Sequence, residues 1–332
     1  MRHARSIAGY AAVAAAVPYF VLKIIWLSGG TVGMTAGTPL GAEFDALNAF
    51  TFLMDAVAIG VALAMTRSWG MRLPAPVVLF PMWVGTGFLA TIVVGVPIVT
   101  AVSAARGDNI FATDGASLVQ PWVYEMVYAG FIVQGVSLMT AFFLYSRARW
   151  PRLPEGTRSS ELGKLQKQLG IGAAGLAALL GVLHLFWALG GTAGLPAQYI
   201  ATSAFTGRFM DFVFGGLSIL GAVGVFRLVR RRGSRWTAVL LVWVGAATNF
   251  SWGFWVTLNM LTDSPLTAGT REMGLLGLVN LARLLAGMLM GVVAAVDLAA
   301  ARDTELQQAT AEKQAPAGQQ ASADQRDERL AV

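Results

Sequence analysis

Four ionisable residues stand inside long apolar runs of this chain: Lys23, Asp55, Asp211 and Arg283. At the centre of a bilayer each costs about 2.5–3.5 kcal/mol on an insertion scale, so four unpaired ones would cost on the order of 10–14 kcal/mol. That is comparable to the whole stability of an ordinary domain. They must pair with one another or face water. The set is balanced, with two of each sign. Carboxyl groups so placed can move protons, because burial holds a carboxyl in its acid form until a substrate takes the proton. Asp55 and Asp211 are candidate catalytic acids, as are Glu125 and Glu272, which open two further apolar runs. A cationic neighbour favours the charged form, so the donor is whichever of the four lacks one.

Helical spacing gathers other groups around these charges. Tyr19, Lys23, Trp26 and Gly30 fall on one face, and Asn48, Thr51 and Asp55 on another. Gly181, His184, Trp187 and Gly191 form a third stripe, and Arg208, Asp211, Gly215 and Ser218 a fourth. Asn249, Trp252, Val256 and Asn259 make a fifth; Glu272, Leu276, Asn280, Arg283 and Gly287 make a sixth. Trp255 adds an aromatic ring at the same depth, and aromatic faces stabilise cations. The stripes predict one central cavity shared by both halves of the chain. Its candidate substrate-binding residues are Tyr19, Lys23, Trp26, His184, Trp187, Asn249, Trp252, Trp255, Asn280 and Arg283. The competing reading is packing alone, with Lys23 meeting Asp55 and Arg283 meeting Asp211.

The elements that carry these stripes follow from composition. Of 332 residues, 56% are apolar and 13% charged, against about a quarter charged in a soluble domain. Ten of the 42 charges fall in the last 31 residues, so the body is poorer still. The chain reads as all-α, a polytopic membrane protein, which excludes soluble enzymes and nucleic-acid-binding domains. Eight runs are long enough to cross a bilayer: 8–28, 46–66, 75–98, 122–146, 170–190, 203–227, 237–258 and 274–298. The run at 75–98 carries no charge and is expected at the periphery. The other expected units are a linker at 147–169 and a disordered tail at 302–332, helical at its start. Nineteen of the 24 basic residues lie on the side that holds both termini, which predicts cytoplasmic termini in a multi-pass protein of the cytoplasmic membrane. The absence of cysteine and the presence of only two histidines leave no thiol chemistry, Cys-ligated zinc or haem site, and no cofactor is expected.

The two halves resemble each other. Lys23 to Gly33 (KIIWLSGGTVG) matches His184 to Gly194 (HLFWALGGTAG), with Lys23 at the place of His184. Met54-Asp55 matches Met210-Asp211, Trp83-Val84-Gly85 matches Trp243-Val244-Gly245, and Glu125-Met126 matches Glu272-Met273. Duplication of a four-helix unit accounts for this order. The units are 1–146 and 170–301, and an even number of spans leaves them parallel. The segment His184-Leu-Phe-Trp-Ala-Leu-Gly-Gly191 also resembles a family of small bacterial membrane proteins marked by His-x-x-Trp-Ala-Leu-Gly-Gly at the end of the first of four helices. That resemblance implies a four-helix unit and no particular chemistry.

Three functions fit these residues. The first is a metal-independent enzyme that uses acid/base chemistry on a lipid-phase substrate. In architecture it is similar to small integral membrane terpene cyclases, which protonate and cyclise an isoprenoid. The second is a small-molecule transporter or exporter with an intramembrane Asp/Arg/Lys site. The third is a non-catalytic membrane partner protein. The expected partners are the lipid bilayer and a hydrophobic or amphiphilic small molecule, with no nucleic acid.

Overall fold

In a computed structural model the chain is described over residues 2–35, 41–111, 117–150, 160–202, 205–261 and 274–314. The long helices are α1 (Arg2–Leu27), α2 (Ala42–Thr66), α3 (Ala75–Ala105) and α4 (Pro121–Arg149) in the first half. In the second half they are α5 (Ser160–Ala188), α7 (Phe205–Arg230), α8 (Arg235–Leu261) and α9 (Gly274–Gln314), with a short α6 (Ala197–Thr202) between α5 and α7. All eight long helices are apolar and long enough to cross a membrane. The protein is an all-helical, polytopic membrane protein of eight spans. Among the described residues every named element is a helix, in which a lipid-facing backbone satisfies its hydrogen bonds within its own segment. The tail expected after 301 begins as an unbroken continuation of α9 to Gln314. Residues 315–332, like 151–159 of the linker, lie outside the described residues.

In the first half α1 packs on both α2 and α4, and in the second half α5 packs on α7 and α9. One feature is corrected: α3 is a joint between the halves, packed against α4, α7 and α8, and not a peripheral helix. Neutral side chains do there what charge was expected to do. Trp243 Nε1 donates to Thr86 Oγ1 at 3.2 Å, Trp252 Nε1 donates to Thr91 Oγ1 at 2.8 Å, and Ser251 Oγ donates to the Val84 carbonyl at 3.0 Å. Hydroxyls bond across helices at a far smaller desolvation cost than a charge.

The ends of α1 and α5 are built alike. Trp26 Nε1 donates to the Val32 carbonyl at 2.8 Å, and Trp187 Nε1 donates to the Ala193 carbonyl at 3.0 Å. Each loop turns through glycines at positive φ, Gly29 and Gly33 in one and Gly190 and Gly194 in the other, where a side chain would be strained. Beyond Trp26 the chain crosses to the α3–α4 connection. Thr35 N donates to the Leu118 carbonyl and Gln120 N donates to the Gly33 carbonyl. This pairing closes the first half at the end of the bundle opposite the termini.

Candidate functional site

Beneath that closure lies a cavity of about 750 Å³, walled by α1–α4 and by one face of α8. The size is within the usual range of small-molecule sites. The wall is mainly aliphatic and aromatic. Its charged residues are two, Lys23 from α1 and Asp55 from α2. Lys23 Nζ donates to Asp55 Oδ2 at 2.7 Å. The Lys23 side chain keeps 1% of its surface and that of Asp55 13%, so the carboxyl is the member of the pair that reaches the cavity. Nζ also lies 4.0 Å from the centroid of the Tyr19 ring, a cation–π contact that holds the ammonium against its helix. Tyr19 meets Trp26 and Phe131 edge-on, at 6.2 and 5.8 Å between ring centroids. From the second half, Trp252 and Trp255 complete the wall.

The ionisable groups of the second half form a different cluster. His184 Nδ1 lies 2.8 Å from Asp211 Oδ1, and both side chains are buried. The Tyr199 hydroxyl on α6 donates to the same carboxylate, and burial together with the nearby negative charge pushes that phenol up to about 12, so it remains a donor. Arg283 does not bond Asp211 directly. Its Nη1 donates to Asn280 Oδ1 at 3.3 Å, and its guanidinium lies 4.3 Å from the Phe214 ring centroid. Phe214 also touches His184 on one side and Trp252 on the other, at 5.7 and 5.5 Å between centroids. Phe214 and Trp252 thus stand between the cavity and the buried His184–Asp211–Arg283 group. None of these three lies on the cavity wall. This cavity therefore takes in the ion pair of the first half and not the His184–Asp211–Arg283 group of the second.

The helix interfaces explain the difference. Phe20 of α1 and Phe52 of α2 stack at 4.5 Å between centroids, so aromatic rings fill this part of the α1–α2 interface. The corresponding α5–α7 contact is made by glycines. A Cβ on Gly215 would lie 2.8 Å from the Gly181 carbonyl oxygen, and one on Gly181 would lie 3.0 Å from the Gly215 carbonyl oxygen. Backbones that approach this closely leave no room for a ligand. Proline adds to the asymmetry: Pro81 stands on the cavity wall inside α3, where it removes one backbone hydrogen bond.

The candidate residues divide accordingly. Tyr19, Lys23, Trp26, Asp55, Trp252 and Trp255 line the cavity. His184, Trp187, Asp211, Asn280 and Arg283 belong to the packed half. Asn249 Nδ2 donates to Ser218 Oγ at 3.1 Å and to the Gly245 carbonyl at 2.9 Å, tying α7 to α8. Glu125 is exposed and lies off the cavity wall. Glu272 lies outside the described residues. On the α4 face sequence reasoning pointed to Glu125 and Tyr128 and missed Tyr124, Phe131 and Gln134. Tyr124, Tyr128, Phe131 and Gln134 all line the cavity, and Gln134 is a buried amide in mid-span. Their helical spacing was the available signal, and the absence of charge below Glu125 hid it. No family model, no curated protein and no solved structure matches this chain.

Proposed function

We propose that the protein is an integral membrane enzyme that transfers protons to and from a lipid-phase substrate held in the first-half cavity. The observation that carries this reading is the wall itself: mainly aromatic and aliphatic, with a few neutral polar groups and one ion pair whose carboxyl is the more exposed member. The expectation that the donor has no cationic neighbour does not hold for Asp55, which bonds Lys23. Burial disfavours both charges of the pair, and transfer of the Lys23 ammonium proton to Asp55 leaves both groups neutral with one transferable proton between them. From Asp55 it can be donated to an electron-rich double bond or epoxide. The π or lone pair forms the new bond to hydrogen, and positive charge appears on the substrate. Tyr19, Trp26, Trp252 and Trp255 line the cavity around that charge, and aromatic faces stabilise cations. A second double bond closes on the cation, and loss of a proton to Lys23 restores the pair. The sequence is redox-neutral and needs no metal or co-reactant. Cyclisation of an isoprenoid is the reaction that suits it best.

The bilayer is the source of substrate, and the termini face the cytoplasm, as the distribution of basic residues supports. The two halves arose by duplication, and the second serves as scaffold. A carrier built around a polar axis would need the charges of both halves on one wall; this wall carries Lys23 and Asp55 but not His184, Asp211 or Arg283. The test is turnover of membrane lipid extract by purified protein in detergent, followed by mass spectrometry. Asp55→Asn should reduce product formation by about 100-fold or more, the usual contribution of a positioned acid. Unchanged turnover would overturn the assignment.

A further inference from the structure

The cavity is long, graded in polarity and open on one side. Along α2 its wall runs from Phe44 to Val61, roughly 25 Å at about 1.5 Å per residue. The end beneath the loop closure presents Asn48, Thr51 and Tyr124, whose polar groups are uncharged. The far end is formed by Val61, Met82, Leu89 and Leu138. Asp55 stands between the two ends, about 10 Å below Asn48. Acidic residues flank the polar end: Glu43 and Asp45 are exposed in the first turn of α2, and Glu125 is exposed beside Tyr124.

The opening is lateral. Leu53 and Val57 of α2 and Phe80 of α3 belong to the cavity wall and are also exposed to the outside of the bundle, by 61%, 41% and 57%. In contrast to its packing on α1, α2 meets α3 only sparsely. A residue that faces both cavity and lipid marks a gap in the wall.

We infer that the occupant is a single long-chain amphiphile with an uncharged polar head, which enters sideways from the bilayer between α2 and α3. It stands upright with its head at Asn48, Thr51 and Tyr124, and presents to Asp55 a bond about 10 Å down the chain. A phosphate or carboxylate head would sit near Glu43, Asp45 and Glu125 with no cation on that part of the wall to offset them. A hydroxyl, in contrast, can bond the Asn48 amide, which spends one N–H on the Phe44 carbonyl. It can also bond the oxygens of Thr51 and Tyr124, which bond the Leu47 carbonyl and Ser117 Oγ as well. This inference rests on the reading of the cavity as the substrate site and specifies its substrate class.

The experiment uses a long-chain conjugated-polyene alcohol as probe, loaded in phosphatidylcholine vesicles, with the matching carboxylic acid as comparison. Binding to reconstituted full-length protein is read as energy transfer from tryptophan, since Trp26, Trp252 and Trp255 line the cavity. The alcohol should bind at least 10-fold more tightly than the acid; equal affinity would overturn the neutral head. The natural chain has no cysteine, so Leu53→Cys with Phe80→Cys can be bridged specifically by a bis-maleimide. Bridging before loading should slow probe entry at least 10-fold, while bridging after loading should retain the bound probe and so demonstrate an intact fold. Entry at an unchanged rate would overturn the lateral route alone. Absence of energy transfer in the unbridged protein would overturn this inference and the substrate site together. Binding by Asp55→Asn with wild-type affinity would support the inference even if that variant turns nothing over, because the head and tail contacts do not use the carboxyl; loss of binding by a variant whose thermal unfolding shows it folded would overturn this placement of the chain.

Discussion

At the residue scale one buried ion pair carries both a structural and a chemical task. Two charges taken out of water are offset only by a close, well-bonded contact, and Lys23 with Asp55 makes one at 2.7 Å. Removing one partner leaves the other stranded. Lys23→Met should destabilise the protein by about 3–5 kcal/mol, while Lys23→Met with Asp55→Leu should recover most of that loss. Thermal unfolding in detergent reads both. The double variant should fold and turn nothing over, which separates the structural task of the pair from its chemical one; a double variant as unstable as Lys23→Met would contradict the pairing account. The sequence makes this pair legible because an unpaired charge in a span is too costly to leave alone. It does not reveal that Asp211 bonds His184 and Tyr199 while Arg283 turns to Asn280 and Phe214. Those choices depend on where α6 and α7 place their side chains, and helical periodicity within one element carries no information about that.

At the scale of elements, the number of spans is readable from apolar run lengths. Their limits are not, since α1 starts at Arg2, α5 at Ser160, and α3 and α9 run on to Ala105 and Gln314. The difference between the two halves lies in their interfaces. The first half fills part of the α1–α2 interface with stacked Phe20 and Phe52, and the second joins α5 to α7 through Gly181 and Gly215. Both sets of residues are visible in the sequence, but only their facing partners show that one makes an aromatic stack and the other a close backbone contact. Adjacent glycines on α7 give a clean comparison. Gly215→Ala must move a backbone and should cost about 1–3 kcal/mol. Gly216→Ala meets nothing within 4 Å and should be neutral or stabilise by up to about 1 kcal/mol through helix propensity. Equal midpoints of thermal unfolding for the two variants would show that the close α5–α7 approach is not what packs the second half.

Across the two halves, similar stretches of sequence end with one ion pair on a cavity wall and one polar cluster buried away from it. The matched motifs build matched details, as the Trp26 and Trp187 hydrogen bonds and the paired Lys23–Asp55 and His184–Asp211 contacts show. Similarity of motif suggests similarity of use, which is why one common interior is the natural expectation from sequence. Packing decides otherwise: Phe214 and Trp252 wall off the second cluster, and α3, expected outside, joins the halves. The account therefore assigns the chemistry to Asp55 and none to Asp211. The most direct measurement is incubation of reconstituted protein with lipid extract in deuterium oxide, followed by mass spectrometry of the lipid phase. The account predicts a species carrying carbon-bound deuterium that forms with wild-type protein and with folded Asp211→Asn, and that is lost with Asp55→Asn. Label that persists in Asp55→Asn, or disappears only in a folded Asp211→Asn variant, would contradict it.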